Sequence, residues 1–468
     1  MGNLFKGRLE KSMKASISMA ILCMSTSAVY AQSVSKQVLA SWDSQYRPRG
    51  DTPALHNGTV AFLGDQAGPD PTRWAVFRGP LNASVPFAPI AFGHMTSGDL
   101  VPWRTDGSRF AGFYNPMVWG DSVFFDADRT IDGIQVFGVG AVVSNPSGYS
   151  FFAPTTFGGR PSPGALGLVY PNAFRYYNHS IVYPISRNAA LPGGGTSPIT
   201  VAGQLDSVYE GYAYGGDRTV HTIRVNSPFG YRYGIYAWNP ASPLLTMVVN
   251  PWTFIPGANT RFNVYTGVDT DGTNVSFFGY SGFLGQGAIG GIYTAPIDGG
   301  PLTTIATLGQ MSPAGLPYFT LGTTAINGDT VFFDASLGTG PATHYAVFAA
   351  CRGQVSLVYK TGDVINGKVM LDGRVNRNGG DGNDLVMWAR YQLPGGPGGV
   401  GVMLLHVHID CMAACRADFN SDDVVDFFDY LDFVEAFSSG AVSADFNSDG
   451  VVDFFDYLDF VSEFSNGC

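Results

Sequence analysis

Gly328-Asp-Thr-Val-Phe-Phe-Asp334 returns almost letter for letter at Gly120-Asp-Ser-Val-Phe-Phe-Asp126. Two further copies read Gly272-Thr-Asn-Val-Ser-Phe-Phe278 and Gly382-Asn-Asp-Leu-Val-Met-Trp388. Looser ones are Asn57-Gly-Thr-Val-Ala-Phe62 and Asn178-His-Ser-Ile-Val-Tyr183. Each is a turn followed by a β-branched and aromatic run, which is how a hairpin strand begins. The anchors Val60, Val123, Ile181, Val275, Val331 and Leu385 are 63, 58, 94, 56 and 54 residues apart.

A second strand follows most anchors at a near-fixed offset, as at Val76, Ile292, Val347 and Val402. A third follows at Ser84–Ala91, Leu302–Leu308 and Val355–Tyr359, and a fourth runs into the next copy, as at Phe319–Ile326 and Lys368–Val375. Four short strands per unit of this size is the signature of a β-propeller blade. Separate sandwich domains would need units of ~100 residues. The last copy stops after two strands, Leu385–Tyr391 and Gly401–Ile409, while Gln37-Val-Leu-Ala-Ser-Trp42 resembles a third strand such as Gln354-Val-Ser-Leu-Val-Tyr359. The N-terminal strand is therefore expected to complete the final blade, which removes an open edge. The fold expected is mainly β, a six-bladed propeller over residues 32–410. The 94-residue interval leaves room for a seventh blade around Ser207–Val225 or for an inserted hairpin.

The composition agrees. Of 468 residues only 13% are charged, against ~25% in ordinary globular chains, while 14% are aromatic. Net charge is −11, but residues 1–31 carry +3 and residues 416–468 carry thirteen acids against Arg416, so the remainder holds −11 − 3 + 12 = −2. A neutral body has no basic footprint for nucleic acid.

Residues 1–31 read as a secretory signal: a basic start ending at Lys14, an apolar stretch from Ala15 to Val29, and Val29-Tyr30-Ala31 before a cleavage point. The apolar stretch is too short for a span, and nothing else in the chain would cross a membrane. The protein is expected to be secreted, extracellular or at the cell surface. Removal of the signal leaves Cys351, Cys411, Cys415 and Cys468, an even count that suggests two disulfides with three possible connectivities. Cys415 and Cys468 bracket the acidic tail and are the favoured pair, which leaves Cys351 with Cys411.

The tail holds the most specific motif. Asp418-Phe-Asn420-Ser-Asp422-Asp-Val424-Val-Asp426-Phe-Phe-Asp429 repeats 27 residues later as Asp445-Phe-Asn447-Ser-Asp449-Gly-Val451-Val-Asp453-Phe-Phe-Asp456. Oxygen side chains stand at loop positions 1, 3, 5, 9 and 12, and position 7 offers a carbonyl from Val424 or Val451, which is EF-hand spacing for Ca²⁺. Position 12 is Asp rather than Glu. Position 6 needs a left-handed backbone and is Gly450 in one loop but Asp423 in the other, so the first site is expected to be weaker. At 100° per residue Phe427, Tyr430, Leu431, Val434 and Phe437 share a stripe, with Phe428 off it.

The tandem loop–helix pair with Asp at position 12 resembles the dockerin module, and more closely the tails of exported bacterial proteins that open on Cys-x-Ala-Asp-Phe-Asn, here Cys415 to Asn420, and close on Gly467-Cys468. The resemblance implies a helical domain at residues 411–468 with two calcium ions, and a partner of cohesin type or a surface-anchoring machinery. It also implies that loop positions 10 and 11, Phe427, Phe428, Phe454 and Phe455, face that partner; the residues themselves leave core packing of all four open. The β body resembles a family of exported bacterial proteins built from N-x-x-G-x-x-A-F-like tandem units, which adds architecture but no reaction.

Weaker signals remain. His406, His408 and Asp410 alternate on one strand face, as a metal trio or a plain polar face would. No nucleophile elbow or phosphate loop is present. Between residues 32 and 415 the only Glu is Glu210, so a glycosidase would draw on Asp126, Asp269, Asp334 or Asp372. The function expected is a non-catalytic binding or surface-structural protein, with a glycan as a further partner of the β body. The alternative is a secreted polysaccharide-active hydrolase or lyase carried by the same tail.

Overall fold

The protein is described here by a computed structural model. It describes residues 33–466 apart from 43–45, 50–52, 67–73, 83–85, 95–96, 102–104, 120–121, 132–133, 146–147, 153–161, 165–166, 171–186, 191–195, 200–204, 216–217, 228–229, 239–244, 339–343, 378, 395–398, 412–415, 421–424 and 448–449. Two compact units result: Val34–Ile409, and one containing Asp410–Cys468. Among the described residues no helix is long and apolar enough to cross a membrane.

The first unit is built of antiparallel sheets in chain order, the wiring of a β-propeller. Sheets span residues 46–93, 109–152, 162–199, 205–249, 264–307 and 318–360, and a last one spans 364–410 with the N-terminal strand Ser33–Ser41 added. Among the described residues that is seven sheets, where the repeat count favoured six and left a seventh open. Two sheets, not one, stand between the copies anchored on Val123 and Val275. Their second strands are Gly167–Tyr170 and Arg218–Ser227, and the anchor read at Ile181 lies outside the described residues.

Local chemistry explains the strands. Thr330–Leu337 is almost wholly buried because sheets cover both of its faces, so it reads as a continuous apolar run rather than an alternation. Asn57 and Gly58 turn the first hairpin at φ 48 and 67, the double left-handed pair that a two-residue loop requires.

Neighbouring sheets are joined through their first strands. Thr324 Oγ1 donates to the Gly267 carbonyl at 2.7 Å, Ile326 N–H to Asp269 Oδ2 at 2.9 Å, and Gly328 N–H to Asp271 Oδ2 at 2.9 Å. The constant offset of 57 residues means that the two first strands run in the same direction. First strands pack on one another around the unit, and the segment Gly380–Asp381 of the seventh sheet packs on Ala54–His56 of the first.

Closure is double, as the sequence suggested. Ser33–Ser41 lies beside Val400–Asp410 in the last sheet, and Trp42 N–H donates to the Val402 carbonyl at 2.9 Å. Ala40 then shares one buried cluster with Phe62 and Phe77 of the first sheet and with Val386 and Leu404 of the last.

The second unit holds helices α1 (Phe427–Ser439) and α2 (Phe454–Asn466). Asp426 and Asp429 form a reciprocal capping box at the start of α1, and Gly440 ends it at φ 66. Phe433 and Phe460 stack at the centre, ring centroids 3.9 Å apart, with Phe419 and Phe446 edge-on to both. Tyr430 and Tyr457 hydroxyls meet at 3.2 Å, so partners offset by 27 residues mirror one another. The buried side of α1 is thus centred on Phe433, which the periodicity stripe omitted, while Phe427 and Leu431 at its edge are exposed. These four inner rings leave no need for the loop-end phenylalanines in the core.

Candidate functional site

The two acidic loops share one geometry. Asp429 is fully buried, its Oδ1 accepting from Asn420 N–H at 3.0 Å and its Oδ2 from Asp426 N–H at 2.8 Å. Asp456 does the same with Asn447 N–H at 3.0 Å and Asp453 N–H at 2.7 Å. Each position-12 carboxylate therefore ties loop position 3 to position 9. The N–H groups of Asp453 and Asn447 hold the Asp456 carboxyl below the usual carboxylate range, so it is ionised at neutral pH. Position 9 is also fixed, since Asp426 Oδ1 accepts from Phe428 N–H at 2.7 Å and Asp453 Oδ1 from Phe455 N–H at 2.8 Å. In the second loop Gly450 has φ 89, the left-handed backbone expected at position 6, and its N–H reaches Asp445 Oδ2 at 2.9 Å.

The donor set is all hard oxygen, and Arg416 is the only basic residue among residues 416–468, stacked on the Phe446 ring at 4.3 Å. Two buried carboxylates without a basic partner fit a hard divalent cation. Among the described residues no three-ligand group stands assembled. Asp422 and Val424 of the first loop and Asp449 of the second lie outside the described residues, as does Asp423. The position-7 residue Val451 is exposed, as are Asn420 and Asn447, while Asp418 and Asp445 are half-buried.

At the loop ends Phe427, Phe428, Phe454 and Phe455 are 46%, 63%, 62% and 64% exposed. They form two equivalent apolar patches, each extended by Leu431 or Leu458 one turn on. Cys351 and Cys411 are each disulfide-bonded. Cys415 and Cys468 lie outside the described residues, as does the signal segment.

In the β body the candidate acids hold the architecture. Asp269 is buried on a first strand, and burial pushes its carboxyl well above the usual range against the N–H of Ile326 in the next sheet. Asp334 fills the step where the Tyr318–Asn327 strand shifts register, and accepts from Thr323 N–H at 3.1 Å. Gly322 is required there, because a Cβ would overlap the Asp334 carboxylate. Asp372 is taken by Arg390, and the Asp126 side chain lies outside the described residues.

Burial pushes the Asp334 carboxyl up to about 7, against the opposing pull of Arg374 and of the Thr323 and Val375 N–H groups. The folded state then keeps a proton that the unfolded chain releases near pH 4. Its stability falls from there to pH 7, and the full penalty, on the order of 4 kcal/mol, stands above that. Asp334→Asn should therefore gain on the wild type as pH rises from 4 to 8 in denaturant titrations. An unchanged difference between the two at both pH values would contradict this assignment.

The histidine face is organised by a residue that the sequence reading did not include. His406 Nε2 lies 2.7 Å and His408 Nδ1 2.8 Å from the same Oδ1 of Asp384, which is paired with His408 across the sheet. Partial burial would raise the Asp384 carboxyl, but the two imidazole hydrogen bonds outweigh it and hold it low.

No known protein family matches the chain, and no curated protein does at a significant level. Solved structures with a similar course include the β-propeller domain of the Trilobed protease from Pyrococcus furiosus, at 10% identity, TM-score 0.42, and 75% of this chain over 93% of that one. Polysaccharide lyase Uly1 matches at 14% identity, TM-score 0.43, over 77% and 90%. The acylaminoacyl peptidase of Pyrococcus horikoshii matches at 10% identity, TM-score 0.42, over 76% and 50%. At such scores these likenesses carry no argument about activity.

Proposed function

We propose that this is an exported, non-catalytic binding or surface-structural protein: a seven-bladed β-propeller over residues 32–410, held in place by a dockerin-like tail at 411–468 that folds around two calcium ions. The observation that carries the reading is the duplicated clasp, Asp429 and Asp456 each binding positions 3 and 9 of its loop, beside duplicated outward phenylalanine pairs. Asp418, Asn420, Asp422, Val424, Asp426 and Asp429 would hold one ion, and Asp445, Asn447, Asp449, Val451, Asp453 and Asp456 the other. Calcium supplies the charge that lets these acids converge. Phe427, Phe428, Phe454 and Phe455 would meet a cohesin-type partner or a surface-anchoring machinery, since exposed aromatic pairs on a small rigid unit suit a protein interface. Cys415–Cys468 would close the loop around both sites. The hydrolase or lyase alternative needs free acids, whereas Asp269, Asp334 and Asp372 are each engaged in a hydrogen bond that builds the sheets.

The test is to secrete the full chain and a chain ended at residue 410 from one host. The full chain is expected on the cell surface in calcium and in the medium after chelation. The shortened chain is expected in the medium throughout, with its β body folded. Equal partition of the two would show that the tail neither docks nor anchors.

A further inference from the structure

Each sheet of the β body is an antiparallel meander, and neighbouring first strands run the same way. Connections from the second to the third strand, and from the fourth strand to the next sheet, therefore emerge at one common end. Among the described residues the large apolar side chains exposed on this body, such as Trp42, Trp252, Phe254, Phe283, Met311 and Val364, all lie at that end except Met247. The opposite end carries polar turns such as Asn57-Gly58, Asp271-Gly272 and Gly382-Asn383.

One connection at the apolar end is built as a platform. Trp252 is 37% and Phe254 48% exposed. The Arg261 guanidinium lies 4.2 Å from the Phe254 ring centre and 5.9 Å from that of Trp252, and that of Arg232 lies 5.5 Å from the Trp252 ring centre. Their hydrogen bonds go to neutral oxygens: Arg232 to Asn263 Oδ1 at 3.0 Å, and Arg261 to the Trp252 carbonyl. Among the described residues neither cation meets a carboxylate, so both keep their charge uncompensated beside an exposed indole.

The loop is held still. Trp252 N–H donates to Asn250 Oδ1 at 2.8 Å, Ile255 N–H to the Thr260 carbonyl at 2.9 Å, and Phe262 N–H to the Thr253 carbonyl at 3.3 Å. Ile255 and Phe262 plug it into the core. A ligand arriving there meets a prepared surface and little ordering cost.

We infer that this platform binds an acidic polysaccharide, one sugar ring lying on Trp252 and its carboxylate or sulfate on Arg232 and Arg261. A pyranose offers an apolar face to an aromatic ring and an acid group at its rim, which is the pairing of surfaces on display. Guanidinium groups suit planar acid groups by bidentate hydrogen bonds. A peptide would seek an open strand edge, but this loop spends its N–H and carbonyl groups on itself. A nucleic acid would need a basic face, and the body is nearly neutral.

This inference deepens the reading of the β body as a binding module and does not involve the tail. Affinity electrophoresis of the full chain through gels cast with polygalacturonate, chondroitin sulfate or neutral mixed-linkage β-glucan tests it. Retardation by one or both acidic polymers, and none by the neutral one, is expected. Which acidic polymer retards tells uronate from sulfate. Trp252→Ala should abolish retardation and Arg232→Gln with Arg261→Gln should weaken it at least tenfold, while Trp252→Tyr keeps part of it and controls for folding. No retardation by either acidic polymer, equal retardation by the neutral glucan, equal competition by polyglutamate, or an unaffected Trp252→Ala would each overturn the inference. Such a failure with calcium-dependent surface retention intact would leave the proposed function standing.

Discussion

In excess chelator the tail of the full chain is expected to lose its helices while the β body melts as before, and calcium is expected to restore them. Residues 416–468 place thirteen acids and one Arg in a unit whose core is four phenylalanines and their neighbours. Such a unit is too small for its apolar burial to carry a large penalty. Asp429 and Asp456 are nevertheless covered from solvent, and a covered carboxylate without a counter-charge opposes the compact state. If the loops bind as proposed, Asp418, Asp422 and Asp426 would add their charges to the first, and Asp445, Asp449 and Asp453 to the second. Two Ca²⁺ would cancel four charges, so that binding energy would become folding energy. Calorimetry of the full chain should count two ions. Asp449→Ala should remove the second and Asp422→Ala the first, each with a loss of at least about 100-fold in affinity at its own site. Asp456→Ala should be more damaging than Asp449→Ala, because it also removes the acceptor of the Asn447 and Asp453 N–H groups. Zero or one bound ion, or equal helicity in chelator, would sink the calcium reading.

What could be read from the chain beforehand was whatever is encoded locally. Turn-plus-apolar runs mark strands at Gly328 and Gly382 because the left-handed turn and the strand are adjacent in sequence. The two helices of the tail follow the duplicated acidic motif for the same reason, since each proposed set of oxygen positions falls within twelve residues of a helix start. The region between Val123 and Val275 was legible only in part: a further sheet around Ser207–Val225 was left open, but the strand Gly167–Tyr170 departs from the turn pattern of the other copies. Long-range roles were hidden as well. Asp269 looked like a free acid until Ile326, one repeat on, supplied its donor. Asp384 organises His406 and His408 across a strand pair that no spacing rule points to. On α1 a stripe drawn from apolar residues alone took in Phe427 and Leu431 and left out Phe433, since the facing helix and not the period decides which ring is covered.

Deleting residues 33–42 should leave the β body unable to persist as a soluble monomer, and moving the same segment behind residue 410 should restore it. The segment is the outer strand of the last sheet, yet it comes from the other end of the chain. Without it Val400–Asp410, with Met403, Leu404, Leu405, Val407 and Ile409 buried, becomes an open apolar edge of the kind that recruits other chains. The loss also reaches inward. Ala40 leaves the cluster in which Phe62 and Phe77 of the first sheet pack with Val386 and Leu404 of the last, and Leu39, which packs against that cluster, goes with it. Leu404→Ala, which keeps the strand but hollows the same cluster, should cost ~2–5 kcal/mol and stay monomeric. The deletion should instead give aggregates on size exclusion, because it removes a whole ladder of backbone partners and not one side chain. In the transplanted chain the strand follows Val400–Asp410 through a short Gly-containing turn, as Gln354–Lys360 follows His344–Cys351 through Arg352 and Gly353, so the last sheet becomes a meander like the others. Rescue would show that the ring needs the strand and not the chain end that delivers it. A deletion that stays monomeric with an unchanged melting temperature would show that closure rests on the first-strand contacts between Gly380–Asp381 and Ala54–His56 alone.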